Sequence, residues 1–158
     1  PYSFVISEYS IQFFGQIDLV YIFLPVAGPQ FYFQAVSPES VENGIFPSLG
    51  TYFNHRTDML PSPGYADGFF CHLVEWAQDS GERPTAAFPS SHIGITFILL
   101  YLVHPQSKRF FFILLPFAIL LTLATVYIQA HYLIDSIVGF VSAFGIYILA
   151  TWMFKRWF

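Results

Sequence analysis

The chain is 158 residues long, 55% hydrophobic and only 10% charged, with 20 phenylalanines and a formal net charge of −4. Soluble globular domains carry about 25% charged residues, so the composition excludes an ordinary water-soluble globule and points to a lipid bilayer as solvent. The acidic balance and the lack of a basic patch exclude nucleic-acid binding; the single cysteine, Cys71, excludes an internal disulfide and reads as a small buried apolar residue.

The first apolar segment, 13–33, reads "FFGQIDLVYIFLPVAGPQFYF" and is long enough for a membrane span, which needs about 20 mostly apolar residues. Asp18 inside it is expected to pair with a polar group on a neighbouring helix. A polar stretch, 37–88, follows. Its first part, "SPESVENGIFPSLGTYFNHRTDMLPSPG", is rich in Pro, Gly, Ser and Asn, and irregular segments of this length are usually functional or disordered. Within it, 67–80 has helical period: Phe69, Phe70, Leu73, Trp76 and Ala77 share one side, and His72, Glu75, Gln78 and Asp79 the other. That helix fits either the membrane surface or a position packed on the loop itself.

Three further apolar segments, 90–103, 110–130 and 132–154, are joined by tight connections. The expectation is an all-α integral membrane bundle, a single domain over 1–158 with about four transmembrane helices plus the interfacial helix. Helix is the form that satisfies backbone groups in hydrocarbon. No secretory signal is visible, and the abrupt start at Pro1 suggests an N-terminally trimmed chain. Lys108 and Arg109 lie between the second and third spans, and Lys155 and Arg156 follow the fourth. Cytoplasmic flanks collect Lys and Arg, so both places are expected on the cytoplasmic side. The 37–88 loop, with seven acidic residues against Arg56 and Arg83, is expected outside. The start of the second span and the end of the third then share the outer face. Trp152 and Trp157 read as an interfacial belt.

Those two outer ends carry "TAAFPSSHIG" and "AHYLIDSIVG". In the latter, His131 and Asp135 stand at i, i+4, one turn apart on a helix face. A carboxylate inside a span costs roughly 2.5–3.5 kcal/mol, so it needs a partner, and His131 is the obvious one. If the carboxylate accepts Nδ1–H, Nε2 stays bare as nucleophile or base. A polar pair that merely holds helices together is equally compatible. In the former, Pro89 suits a first helical turn, which places Ser90, Ser91 and His92 among free backbone N–H groups, a ready anion site. An N-cap serine beside an interfacial histidine is the plainer reading. Taken together, an anion cradle, a nucleophilic histidine, an orienting acid and a second histidine make a phosphoryl-transfer set.

Pro89-Ser90-Ser91-His92 and His131-x3-Asp135 resemble the second and third motifs, P-S-G-H and S-R-x5-H-x3-D, of the type 2 phosphatidic acid phosphatase superfamily. The similarity covers roughly 13–154. The resemblance implies a six-helix family core, of which two helices would precede Pro1. It implies that His131 attacks phosphorus and becomes a phosphohistidine, that Asp135 orients it, and that His92 protonates the leaving alcohol. Ser90, Ser91 and nearby N–H groups would hold the phosphoryl oxygens. It implies a lipid phosphate substrate, no metal and no cofactor.

The chain departs from the family pattern where cations are expected. Ala124 and Thr125 fill the serine and arginine slots of the third motif, and Trp76 fills the lysine slot of the first, K-x6-R-P, although Arg83-Pro84 matches its end. Arg83 is therefore the first candidate for holding phosphate and Arg56 the second. The run His131-Tyr132-Leu133-Ile134-Asp135 also resembles the H-Y-x-x-D pattern of inositol phosphorylceramide and sphingomyelin synthases, in which a lipid alcohol replaces water as acceptor. Three readings follow: a phosphatase at the outer face, a headgroup phosphotransferase, and a non-catalytic membrane module that keeps the polar pairs for packing. Oligomeric state leaves no mark on the sequence.

Overall fold

A computed structural model of the chain describes residues 19–64, 66–81 and 83–157. Among these the architecture is all-helical; Val26 and Ala86 form an isolated parallel bridge. After helical residues 19–23 come α1 (Pro29–Ala35), α2 (Pro38–Glu42), a 3-10 turn (Tyr52–Asn54) and α3 (Phe69–Gly81). Three apolar helices follow: α4 (Ser91–Val103), α5 (Lys108–Tyr127) and α6 (Leu133–Trp157).

Among the described residues two helices are long and apolar enough to cross a membrane, α5 over Lys108–Tyr127 and α6 over Leu133–Trp152. A 20-residue helix is about 30 Å long, the thickness of the hydrocarbon layer. The expected four spans are not reproduced. The 13–33 segment is no continuous helix where it is described: residues 19–23 are helical, 24–28 are not, and α1 restarts at Pro29. Pro25 removes a backbone donor and disfavours helix in the residue before it, and Pro29 is preorganised to begin a new helix. Residues 13–18, with Asp18, lie outside the described residues. The second expected span is α4, whose 13 residues reach only about 20 Å.

The bundle turns small side chains inward and large apolar ones outward. Ala118, Ala143 and Ala150 are buried, while Phe112, Phe117, Leu120, Leu123 and Phe144 are exposed. Only 11% of the spanning part of α5 and 28% of that of α6 is buried. In water this arrangement would leave a large apolar patch uncovered; in lipid it is the packing of helices that meet through small residues. The helix α4 lies between α5 and α6 and packs chiefly on α6, where Ile98 meets Ala143 and Ala150. Phe97 and Phe140 add an edge-to-face contact at 4.7 Å.

At the upper end of this seam α6 meets the start of α4 almost backbone to backbone. A Cβ built on Gly139 would lie 2.7 Å from the Ser90 carbonyl oxygen, and the Ser90 N–H donates to the Asp135 carbonyl oxygen at 3.1 Å. Gly139 is four residues beyond Asp135, so it continues the His131–Asp135 face by one turn. Gly139→Ala must push the two helices apart and is expected to lower stability by about 1–3 kcal/mol. Gly145→Ala, with open space at the added methyl, is expected to leave stability unchanged or raise it by about 0.5–1 kcal/mol. Thermal unfolding in detergent compares the two.

Candidate active site

Three stretches distant in sequence close around one cavity: residues 21–31, residues 83–92, and the α5–α6 turn. Backbone bonds tie them together. The Gly28 N–H donates to Pro84 O (3.1 Å), the Ala87 N–H to Val26 O (3.1 Å), and the Gln30 N–H to Gln129 O (3.0 Å). The Tyr21 hydroxyl donates to Pro89 O at 2.9 Å. Gly28 packs closely on the α5–α6 turn, where an added Cβ would sit 3.1 Å from Ala130 O.

The α5–α6 turn presents His131. Helix α5 ends at Tyr127, and Gln129 takes the left-handed conformation at φ 61°, the usual device for reversing a chain after a helix. The Gln129 N–H returns to Val126 O (3.1 Å) and the His131 N–H to Thr125 O (3.2 Å). The His131 side chain is buried, 5% exposed. Its Nδ1 lies 2.9 Å from the Ala87 carbonyl oxygen. A carbonyl only accepts, so Nδ1 carries the proton and Nε2 is left with a bare lone pair.

Asp135 is placed differently from the sequence expectation. Its Oδ2 is 3.9 Å from His131 Nδ1, beyond hydrogen-bond reach. The same oxygen accepts the Tyr132 backbone N–H at 2.8 Å. Asp135 therefore caps the N-terminus of α6, where the free N–H groups and the helix dipole both favour a carboxylate. It lies beside the imidazole without bonding it.

Ser90 is the N-cap of α4, not a residue of its first turn, so Pro89 stands outside the helix. Ser90 is fully buried, and its Oγ accepts the Ile93 N–H at 3.5 Å. That hydroxyl serves the helix and does not line the cavity. Ser91 and His92 are the first two helical residues, and their N–H groups have no carbonyl four residues back within the helix. Both line the cavity with His131, and the His92 and His131 rings lie 5.8 Å apart, centroid to centroid.

The cavity has a volume of about 560 Å³, enough for a phosphate ester and part of its substituent. Arg83 lines it, and Ile22 and Phe31 give it an apolar part. Arg56 does not; it sits exposed on the loop, paired with Asp58 at 3.4 Å. The structure thus gathers Arg83, Ser91, His92 and His131 at one cavity, with Ser90 and Asp135 buried behind them. Sequence reasoning missed the carbonyls of Ala87 and Thr125, which hold His131 yet carry no side-chain signature. It also missed Gly139, which its i, i+4 spacing from Asp135 marks. Among the described residues no group of three or more His, Cys, Asp or Glu gathers as a metal site.

The family model described as PAP2 superfamily matches residues 16–149, most of the chain, and the chain belongs to that superfamily. No curated protein and no solved structure matches it.

Burial pushes the His131 imidazole down to about 4 from its ordinary 6.5; the Ala87 hydrogen bond raises it in part and nearby His92 lowers it further. The unfolded chain therefore takes this proton first as pH falls. The stability contribution is flat above about 6.5 and is lost between about 6.5 and about 4. A ¹³C-histidine NMR titration of the folded protein, assigned with His131→Gln, is expected to place the His131 midpoint near 4. A midpoint at or above 6.5 would contradict the buried, neutral ring.

Proposed function

We propose, from membership of the PAP2 superfamily, that the chain is a membrane-embedded phosphatase. It hydrolyses a lipid phosphomonoester or pyrophosphate at the outer face through a phosphohistidine. The observation that carries this reading is the placement of two histidines, from segments about forty residues apart in the sequence, on one cavity with Arg83 and the start of α4. Two apolar helices of spanning length support the membrane setting, and the apolar part of the cavity suits a lipid substituent. Lys108 and Arg109 begin α5, and Arg156 lies near the end of α6. Both are at the helix ends away from His131, which favours placing the cavity on the outer side.

In this mechanism the phosphoryl group rests on the free N–H groups and hydroxyl of Ser91, with the Arg83 guanidinium neutralising its charge. His131 Nε2 attacks phosphorus while the P–O bond to the lipid alcohol breaks. His92 gives its proton to the departing oxygen. Water then attacks the phosphohistidine and passes a proton back to His92; the N–P bond breaks, inorganic phosphate leaves, and both imidazoles return to their starting states. The Ala87 carbonyl holds the attacking ring through its Nδ1–H, and the Asp135 charge favours the cation formed when Nε2 bonds phosphorus. No step calls for a metal.

A second reading rests on the His131-Tyr132-Leu133-Ile134-Asp135 run. If a lipid alcohol enters in place of water, the same site is a headgroup phosphotransferase. The two differ only in the acceptor, so product analysis separates them: free phosphate for the first, a new phosphodiester lipid for the second. A non-catalytic module would yield neither.

Purified protein given a panel of lipid phosphates with a chelator present is expected to release phosphate. His131→Ala should lower release by roughly a thousandfold or more, and His92→Ala by about 10²–10⁴-fold. Arg83→Ala should cost about 10²–10³-fold, with Arg83→Lys recovering part of it. Undiminished release by His131→Ala would end the phosphohistidine mechanism. Retained folding with no turnover and no labelling of His131 would favour the non-catalytic module.

A further inference from the structure

Helix α3 turns Gln78 and Cys71 inward and its apolar stripe outward. Gln78, 5% exposed, and Cys71, 9% exposed, face the protein. The Gln78 amide donates from Nε2 to the Gln30 side-chain oxygen at 2.8 Å, and its own oxygen accepts the Ser62 hydroxyl at 2.8 Å. On the opposite side Phe69 and Phe70 are 73% and 77% exposed, Leu73 48% and Trp76 69%. His72 and Glu75 run along one flank, 3.8 Å apart and largely exposed. A helix resting on a soluble protein buries its apolar stripe and exposes its amides. Here the polarity is reversed, so the apolar stripe needs a medium other than water or the protein core.

The level of α3 relative to the spans follows from what it is tied to. Gln30 receives the Gln78 amide, and the Gln30 N–H in turn donates to Gln129 O in the turn that ends α5. At its other end, α3 stops at Gly81 and the chain reaches the start of α4 at Ser91. The ties lead to the end of α5 and the start of α4, both on the His131 side, which in the membrane setting of the proposed function is the level of the headgroup region. There is no Lys or Arg on α3, so attraction to anionic lipid is not what holds it; burial of aromatic rings is.

We propose that α3 is a membrane-interface anchor, its Phe69–Phe70–Leu73–Trp76 face inserted among lipid at the headgroup–acyl boundary, and that it sets the height of the cavity mouth. Arg83 lies two residues beyond the end of α3 and lines the cavity. An anchored α3 therefore holds that guanidinium at the depth of lipid phosphate. The occupant is the bilayer itself, the same medium that covers the exposed faces of α5 and α6. The proposal rests on the membrane setting of the proposed function but not on its chemistry.

The test uses the full chain carrying Trp152→Phe and Trp157→Phe, which leaves Trp76 as the single tryptophan. The protein is reconstituted in phosphatidylcholine vesicles. Separate preparations contain lipid brominated near the headgroup end of the acyl chain or near its methyl end. Trp76 emission is expected to be quenched about twofold or more by the shallow bromines, less by the deep ones, and little by aqueous iodide. Phe69→Ser with Phe70→Ser is expected to raise iodide quenching by about twofold or more while far-ultraviolet circular dichroism stays unchanged. Full iodide quenching with no effect of either brominated lipid overturns the proposal. So does blue-shifted emission untouched by both lipids, the signature of cover by a second copy or another protein. Because the readout needs no turnover, quenched Trp76 in an inactive protein would count against the enzyme and not the anchor. Aqueous Trp76 in an active protein would count against the anchor alone.

Discussion

The bond from His131 Nδ1 to the Ala87 carbonyl, 2.9 Å long, is the contact on which the rest of the site depends. It joins two stretches of chain that share no helix, and it decides three things together. It sets the ring's orientation in the cavity, it fixes the tautomer, and it satisfies a buried polar atom that would otherwise cost about 1–3 kcal/mol. The carbonyl itself is held by its neighbours: the Ala87 N–H donates to Val26 O, and the Gly28 N–H to Pro84 O. A backbone carbonyl is a firm choice for this duty. It has no rotamers to lose, it cannot titrate, and no single side-chain replacement removes it.

The carboxylate that the sequence offers for that duty does other work. Asp135 sits at the third position of α6 and accepts the Tyr132 N–H, so its charge is matched by the helix N-terminus. The same α6 turn accepts the Ser90 N–H at the Asp135 carbonyl. Asp135 and Gly139 thus set the height of α4 against α6, and with it the distance between His92 and His131. The orientation of His131 and the registration of His92, the nucleophile and general acid of the proposed mechanism, are carried by different atoms around one helix end.

Much of this was legible in the sequence, and what was not has a physical reason. The i, i+4 spacing of His131 and Asp135, the apolar runs of α5 and α6, and the polar–aromatic alternation of α3 are side-chain patterns at helical period, so they survive without coordinates. Backbone partners do not. The expectation that Asp135 would take the His131 proton failed because a carbonyl 44 residues earlier competes for it, and carbonyls are identical in every residue. The described part of the 13–33 segment departs from a continuous helix for a different reason: hydropathy averaged over a window is blind to Pro25 and Pro29, although both residues stand in plain view. Ser90 was read as a phosphate ligand because serine is equally suited to capping a helix, and only its burial separates the two uses. Arg56 was a candidate by charge alone; its pairing with Asp58 on the exposed loop takes it away from the cavity.

The scarcity of cations acquires a sense once the charges are placed. The chain has six Lys and Arg in all; Lys108, Arg109, Lys155 and Arg156 belong to the far ends of the spans, and Arg56 is on the loop. Arg83 stands at the cavity, helped by the oriented N–H groups at the start of α4. A site with more fixed positive charge would bind the ground-state phosphate and the phosphate product more tightly without favouring the step between them. In the proposed mechanism His131 would be neutral until its Nε2 bonds phosphorus, at which moment the imidazole would become cationic with the Asp135 carboxylate 3.9 Å away. In that mechanism the compensating charge would develop during the reaction and be met by groups already in place, which is where electrostatic stabilisation accelerates a reaction most. On the proposed mechanism, a neutral nucleophile held by a carbonyl, with a carboxylate in reserve, would do with one arginine what a permanently cationic site would do less selectively.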